Sequence, residues 1–404
     1  MNKKLLTEIK KGSKNALIKK KIIKHFILQG SSTITVLSQN IGLSIPTVTR
    51  LVSDMCQEQL LEDLGKLETS EGRHPSLYGL KADSAYFVGV DMNQFGINIG
   101  LCNFKGEMVK LDMDIPYEFS NTQQAFETLC ELILEFIKKT NINKELIFGA
   151  NINISGRVNP ATGYSYSIFY FDEEALSEKF SNHLGLNVFI DNDTRAMTYG
   201  EYMAGSVTNE KNIIFVNISW GIAIGIIIDG KIYTGKSGFS GEFGHIKTFN
   251  NDVLCHCGKI GCLETEISGK YIYQRLHELI EEGATSYLST RIKNKEHITI
   301  KDIIEAAVEY EDVLCIELFE ELGEKLGEQL AGIINIFNPE LVIIGGVISS
   351  TEMYIMHPIQ AAIRKYSLNL VNKDSVITAS RLKDKAGVTG ACLLARSNIF
   401  NNND

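Results

Sequence analysis

The sequence predicts an α/β chain in which a small helical head precedes a larger, two-lobed body. Three observations point that way: lysines crowd the amino-terminal segment, apolar residues there recur with a helical period, and an alternation of strand and helix patterns begins after Ala82. At 404 residues the chain exceeds an ordinary single domain and suits two or three units with separate cores. A composition of 44% hydrophobic and 22% charged residues with only 6 prolines is that of a chain ordered almost throughout. No uninterrupted apolar run approaches the roughly 20 residues that a membrane helix needs. Lysines, and no signal-peptide core, follow the first six residues, so a cytoplasmic protein without a membrane partner is expected.

The net charge of −9 conceals an asymmetry, because residues 1–80 hold 12 Lys+Arg against 7 Asp+Glu while the remainder holds 28 against 42. One end attracts polyanions and the rest repels them. Nine lysines but only one acid, Glu8, fall within residues 1–24. That is the footprint of phosphate contacts, and the run Lys19, Lys20 and Lys21 is expected to supply some of them.

In residues 15–29 the apolar side chains give an approximately helical period that Gly30, Ser31 and Ser32 end. A short second helix is expected over 34–40. Ile41, Gly42 and Leu43 then make a tight apolar turn into Ser44, which can cap a third helix with Pro46 in its first turn. A glycine turn of this kind joins the helices of a helix-turn-helix. On the third helix Val48, Leu51, Val52 and Met55 form one stripe. Ile45, Thr47, Thr49, Arg50 and Ser53 are left outside, a set of small side chains and one guanidinium that suits a major groove. Leu60 and Leu61, Gly65, the run Gly72-Arg73-His74-Pro75 and a strand-like 76–80 read as a two-stranded wing with Arg73 near its tip, placed to enter a minor groove or grip phosphate. Residues 1–80 are therefore expected to be a winged helix-turn-helix on double-stranded operator DNA, with Ser44, Thr47, Thr49, Arg50 and Arg73 as contact residues. A helical bundle serving only dimer contacts is the alternative.

After Ala82 three successive strands are expected over 86–91, 97–103 and 107–113, followed by a helix over 122–139. This is the opening of an actin-like or hexokinase-like lobe of the ribonuclease H-like ATPase fold. Strands near 213–216 and 222–228, late helices and a strand and turn at 341–346 supply a second lobe. The expected boundaries are 81–205 for the first lobe, completed by 385–404, and 206–384 for the second.

Of the 8 cysteines, Cys255, Cys257 and Cys262 crowd into eight residues, which in a reducing compartment suggests metal before disulfide. Gly241-Glu242-Phe243-Gly244-His245, followed by Cys255-His256-Cys257-Gly258-Lys259-Ile260-Gly261-Cys262-Leu263-Glu264, resembles the signature of the ROK family of repressors, open reading frames and sugar kinases. Gly72 to Pro75, the Asn192-Asp193 pair and Gly345-Gly346 also fall where that family has them, so the resemblance spans nearly the whole chain. His245 with the three thiols makes a closed Cys₃His set, the composition of a structural zinc site. His256, between two of these ligands, is expected to point away.

The resemblance further implies that Asn192 and Asp193 hydrogen-bond a sugar from the first lobe, Asp193 matching the base of the family's kinases. Glu242, His245 and Glu264 are implied to meet the sugar from the second lobe, His245 holding zinc with one ring nitrogen and offering the other to a hydroxyl. Three departures matter. Asp91 is followed by Met92, Asn93, Gln94 and Phe95, where the kinases carry glycines and a threonine that wrap ATP phosphates. Ser219 and Trp220 stand where the second phosphate loop has glycine and threonine. Tyr164, Tyr166 and Tyr170 occupy a stretch where the kinases use proline and asparagine, and tyrosines can stack on a sugar face. The expectation is a homodimeric or homotetrameric repressor that answers to a carbohydrate or sugar phosphate between its lobes and has lost catalysis, Asp193 being vestigial. An active sugar kinase with an appended DNA arm is the alternative.

Overall fold

The computed structural model describes residues 2–67, 74–93, 96–171 and 173–401. The chain forms two compact units, residues 1–192 with 388–404, and residues 193–387.

The head opens with α1 (Asn2–Lys10), where the sequence reading expected only a lysine-rich stretch, and continues into α2 (Lys14–Gln29). Strand β1 (Ser32–Thr33) leads into α3 (Ile34–Ile41), whose amino terminus the Thr33 hydroxyl caps and whose carboxyl terminus ends on Gly42 at φ 72°. A left-handed residue there lets the chain double back without a Cβ penalty, which sets the turn into α4 (Ile45–Gln57). Val48, Leu51, Val52 and Met55 are the buried residues of α4, the stripe its sequence announces. They close over Ile22, Ile23, Phe26 and Leu37, all almost fully buried. β2 (Leu61–Lys66) and β3 (Ser76–Leu80) form the wing, and β1 joins them in a three-stranded sheet of order β1-β3-β2. The wing's tip, Arg73 included, lies outside the described residues. The head is continuous with the first lobe: Lys105 pairs with Glu62 of β2 at 2.8 Å, and α1 packs on the turn at Lys144–Leu146.

The first lobe contains β4 (Tyr86–Asn93), β5 (Gly96–Asn103), β6 (Met108–Ile115), α5 (Gln123–Lys139), β7 (Ile147–Ile154), the small hairpin β8 (Val158–Asn159) and β9 (Tyr164–Ser165), α6 (Leu176–Leu184) and β10 (Asn187–Asn192). Its five-stranded sheet runs β10-β7-β4-β5-β6, with β4, β7 and β10 parallel and the β4-β5-β6 meander antiparallel. One face of this sheet, Val88, Val90, Ile152 and Ile190 among it, is buried with Phe126, Leu129, Ile133 and Phe180 of α5 and α6. Near-continuous apolar runs are what strands covered on both faces require.

The second unit begins with α7 (Asp193–Ala204) and continues with β11 (Ile213–Ile218), β12 (Ile222–Ile228), β13 (Lys231–Ile232), α8 (Gly269–Glu281), α9 (Ser289–Lys293), α10 (Ile300–Val308), α11 (Val313–Phe337), β14 (Leu341–Gly345), α12 (Met353–Tyr366), α13 (Asn369–Asp374) and β15 (Val376–Ala379). Its sheet order is β13-β12-β11-β14-β15. The expected lobe boundary near 205 therefore falls at 192, because α7 packs on β11 and β12 and belongs with them. The return to the first lobe comes within α14 (Ala386–Asn401), at 387 rather than 384. The sulfur of Cys102 in β5 lies 3.7 Å from the Cys392 carbonyl of α14, which covers the sheet's other face.

Within the second unit Glu201 of α7 is fully buried, and its carboxylate accepts four hydrogen bonds: Ser206 N and Oγ, each at 2.8 Å, Ser380 Oγ at 2.5 Å and Leu382 N at 2.8 Å. One carboxylate thus ties the end of α7 to the segment that follows β15. Removing it strands several buried donors at about 1–3 kcal/mol each, an upper bound where water can enter. Glu201→Ala is expected to lower the unfolding midpoint of the second unit by several degrees in calorimetry, while Thr208→Ala, an exposed neighbour, leaves it within about one degree.

Candidate functional site

In the second unit a glycine-rich segment after β13 delivers Glu242 and His245 into a short 3₁₀ turn, Phe243–His245, and a second such turn, Leu263–Thr265, carries Glu264. Between them runs the cysteine loop, pinned by bridges Lys247–Cys262 and Leu254–Ile260. Cys255 N donates to Lys259 O at 2.8 Å and Gly258 N to Cys255 O at 2.9 Å, closing a tight turn. Asn251 anchors the loop by donating to Glu266 at 2.6 Å, and Glu266 in turn accepts from Lys325 of α11 at 2.8 Å.

His245, Cys255, Cys257 and Cys262 place one ligand atom each within 4.8 Å of one another. His245 Nδ1 lies 3.6 Å from Cys255 Sγ, and Cys257 Sγ lies 3.6 Å from Cys262 Sγ. Two sulfurs bound at ~2.3 Å to a tetrahedral ion stand roughly 3.8 Å apart, so the donors are spaced as such an ion needs. The other ring nitrogen, Nε2, lies 3.7 Å from Glu242 Oε2.

Glu264 is held at both oxygens. Oε2 accepts from Ile222 N at 3.3 Å and comes so close to Gly221 that an added Cβ there would be 2.5 Å away, a space only glycine leaves open. Oε1 lies 2.9 Å from His256 Nδ1. His256 therefore does not point away, as its place between two ligands had suggested. The tight turn at 255–259 swings its ring over His245, centroids 5.0 Å apart, and onto Glu264. No periodicity in the sequence announces this contact.

Asn192 and Asp193 are satisfied locally. Asn192 Nδ2 donates to Gly156 O at 3.0 Å, within the first unit, and Asp193 Oδ1 accepts from Thr194 N at 2.7 Å at the start of α7. Asp91 is almost fully buried and accepts from Asn153 Nδ2 at 3.0 Å, with Asn151 Nδ2 donating to Asn153 behind it. Gln94 and Phe95 lie outside the described residues. Trp220 occupies the β11–β12 turn, partly exposed, with its ring 5.8 Å from that of Tyr273 in α8. Tyr164, Tyr166 and Tyr170 are exposed.

On the head, α4 exposes Ile45, Thr49, Arg50 and Ser53. Ser44 and Thr47 share a hydroxyl contact at 2.9 Å, Thr49 Oγ1 donates to Ile45 O of its own helix at 2.8 Å, and Arg50 pairs with Asp54 at 3.2 Å on the open surface. Such an exposed pair is worth about 0.3–0.5 kcal/mol and yields to a better acceptor. The lysine run divides. Lys19 and Lys20 are buried, Lys19 bound to Glu58 at 2.6 Å, whereas Lys21 is exposed. The expectation that residues 19–21 supply phosphate contacts is corrected for Lys19 and Lys20: four-carbon stems on the inner face of α2 pack against the core.

The thiols of the cluster are unequal. Burial, then hydrogen bonds from Cys257 and Cys255, pushes Cys262 up to about 12, and burial raises Cys255. For Cys257 burial acts in the same sense, but hydrogen bonds from the Lys259 backbone and from the thiols of Cys255 and Cys262 outweigh it and lower its value. Ionisation on raising the pH therefore starts at Cys257. In metal-free protein iodoacetamide is expected to label Cys257 first and Cys262 last, at rates that rise from pH 7 to 9, and peptide mass spectrometry reads the order.

The family model "ROK family" matches residues 88–398. The xylose repressor of Caldicellulosiruptor bescii is 29% identical over 369 residues, 91% of this chain and 92% of that protein. A solved ROK family transcriptional regulator, described as a homologue of the Escherichia coli MLC protein, is 27% identical with a TM-score of 0.79, covering 95% of this chain and 96% of that one. A ROK family glucokinase from Streptomyces griseus, solved with glucose and AMPPNP, is 25% identical with a TM-score of 0.66, covering 78% of this chain and 100% of its own.

Proposed function

The chain belongs to the ROK family, and from that premise we propose that it is a DNA-binding repressor of carbohydrate metabolism that answers to a sugar or sugar phosphate. The observation that carries this reading is where the likenesses stop. The regulator covers 95% of the chain, while the glucokinase covers 78% although all of that enzyme is matched, and the family model begins only at residue 88, after the head. What this chain has beyond a kinase is a winged helix-turn-helix, and α4 of that head carries the exposed hydroxyls and single guanidinium that suit base edges.

Ser44, Thr47, Thr49 and Arg50 are the proposed groove contacts, with Arg73 on the wing. Lys21 is the proposed phosphate contact of α2. His245, Cys255, Cys257 and Cys262 hold a structural Zn²⁺, a closed donor set that leaves no position for a reacting water. When bound, the ion supplies cross-linking of the loop and no chemistry of its own. Asn192, Asp193, Glu242, His245 and Glu264 are the proposed sugar ligands. A sugar acts on the head only by binding one conformational state better than another. Assembly as a homodimer or homotetramer would set two recognition helices about one helical turn apart, ~34–36 Å, on a palindromic operator.

Catalysis is proposed to be lost. Phosphoryl transfer depends on positioning and electrostatics, and the bare main chain that cradles triphosphate is replaced by Met92-Asn93-Gln94-Phe95 in one turn and Ser219-Trp220 in the other. Asp193 alone cannot compensate.

Two measurements test this. After operator selection from a random DNA pool, Arg50→Ala is expected to cost about 1–3 kcal/mol on the selected site and little on unrelated DNA, whereas Lys21→Ala weakens all sequences alike and lowers the salt slope by about 1. Lys19→Ala should lower the stability of the head and leave that slope unchanged. Equal losses on every sequence for Arg50→Ala would contradict its role. In a coupled assay with ATP and D-xylose, D-glucose or N-acetylglucosamine, no turnover above background is expected, and turnover at 1 per second or faster, an ordinary enzymatic rate, sinks the non-catalytic reading.

A further inference from the structure

Glu264 approaches any ligand as a carboxylate whose two oxygens have separate partners. Oε2 is held by the Ile222 backbone N–H at 3.3 Å, in the space left by Gly221. Oε1 lies 2.9 Å from His256 Nδ1, which also lies 3.8 Å from Cys255 Sγ; of the two, the carboxylate is the nearer acceptor for an Nδ1–H. The first contact fixes a point and the second fixes a rotation, because a carboxylate bound through one oxygen still turns about its terminal torsion. The turn closed by Cys255 N to Lys259 O sets the backbone of His256, and its ring lies edge-on to His245 at 5.0 Å. Glu264 has 15% of its side chain accessible and His256 has 60%, so the pair stands at the surface with the carboxylate inside and the imidazole outside.

We infer that His256 is a positioning residue of the ligand site: through Nδ1–H it holds the Glu264 carboxylate in the orientation that receives a sugar hydroxyl. This rests on the reading of Glu264 as a sugar ligand. Each carboxylate oxygen offers two lone pairs, so one on each remains for the ligand after His256 and Ile222 are served. The arrangement also makes the ligand carboxylate depend on the cysteine loop twice, through the His245 ring and through the His256 turn. A preset acceptor spares the ligand the cost of ordering it.

The test uses the full-length, zinc-replete protein with D-xylose and D-glucose as probes, affinity being read by calorimetry and by the emission of Trp220, the only tryptophan. His256→Ala is expected to weaken binding about tenfold, the scale of one hydrogen bond to a charged group. His256→Asn keeps a donor where Nδ1 stood and should bind within twofold of the wild type. His256→Gln keeps size and polarity but moves the donor one carbon outward, and should behave like alanine. In the combined variant His256→Ala/Glu264→Gln, affinity should be no weaker than in Glu264→Gln alone, since a residue acting only through Glu264 has nothing left to position. Zinc content by mass spectrometry should stay at one per chain throughout.

Unchanged affinity in both His256→Ala and His256→Gln, losses that add to that of Glu264→Gln, or departure of zinc with His256 would each overturn the inference while leaving Glu264 as a sugar ligand. Failure of the wild type to bind either sugar, or full affinity in Glu264→Gln, overturns the reading of the site itself, and the role of His256 with it.

Discussion

A histidine ring carries its two nitrogens on opposite edges, and at His245 that elementary fact joins the thiol cluster to Glu242. Nδ1 faces the thiol cluster and Nε2 faces Glu242, so whatever fixes the ring for one purpose fixes it for the other. Much of the surrounding structure serves to hold that ring. The Phe243–His245 turn places it, the bridge Lys247–Cys262 brings the third thiol back to it, and the Asn251–Glu266–Lys325 chain keeps the loop on α11. Three thiols whose ordinary state at neutral pH is protonated do not crowd together for their own stability. Burial raises two of them, and a cation that takes their charge turns that cost into folding energy.

The head obeys a different constraint. It must carry a lysine-rich surface yet bury enough apolar surface to stay folded in about eighty residues. The division of the lysines shows how the two demands are met on one helix. Lys19 and Lys20 lie over the core and Lys21 faces out, so identical residues in one run take two environments according to the helical period. Continuity with the first lobe adds support through Lys105–Glu62 and through α1 on the turn at Lys144–Leu146. An isolated head would lose both.

The body has a fold that a solved ROK regulator and a ROK glucokinase share. A fold can retain binding after losing chemistry because recognition of hydroxyls needs a few oriented acceptors, whereas phosphoryl transfer needs a bare cradle for the triphosphate in addition. Glu242, His245 and Glu264 are gathered in one unit on two short turns, and Glu264 leans on the β11–β12 turn through Ile222 N and the space at Gly221.

The sequence by itself determined the helix-turn-helix of the head, the opening three strands and helix of the first lobe, the buried stripe of α4, the grouping of His245 with three cysteines and the departures at Asp91 and Ser219. Each is a matter of local periodicity, turn chemistry or donor type, which neighbouring residues dictate. Tertiary structure decided what depends on packing between distant segments. It gave α7 to the second unit because β11 and β12 cover it, ending the first lobe at 192 where the pattern suggested 205. It added β1 to the wing and made a helix of the lysine-rich start. It turned His256 onto Glu264, eight residues along the chain, through a turn whose direction no spacing rule specifies. Solvent exposure of a charged side chain and the facing of a loop residue are properties of the closed surface, and a surface exists only once the chain has folded.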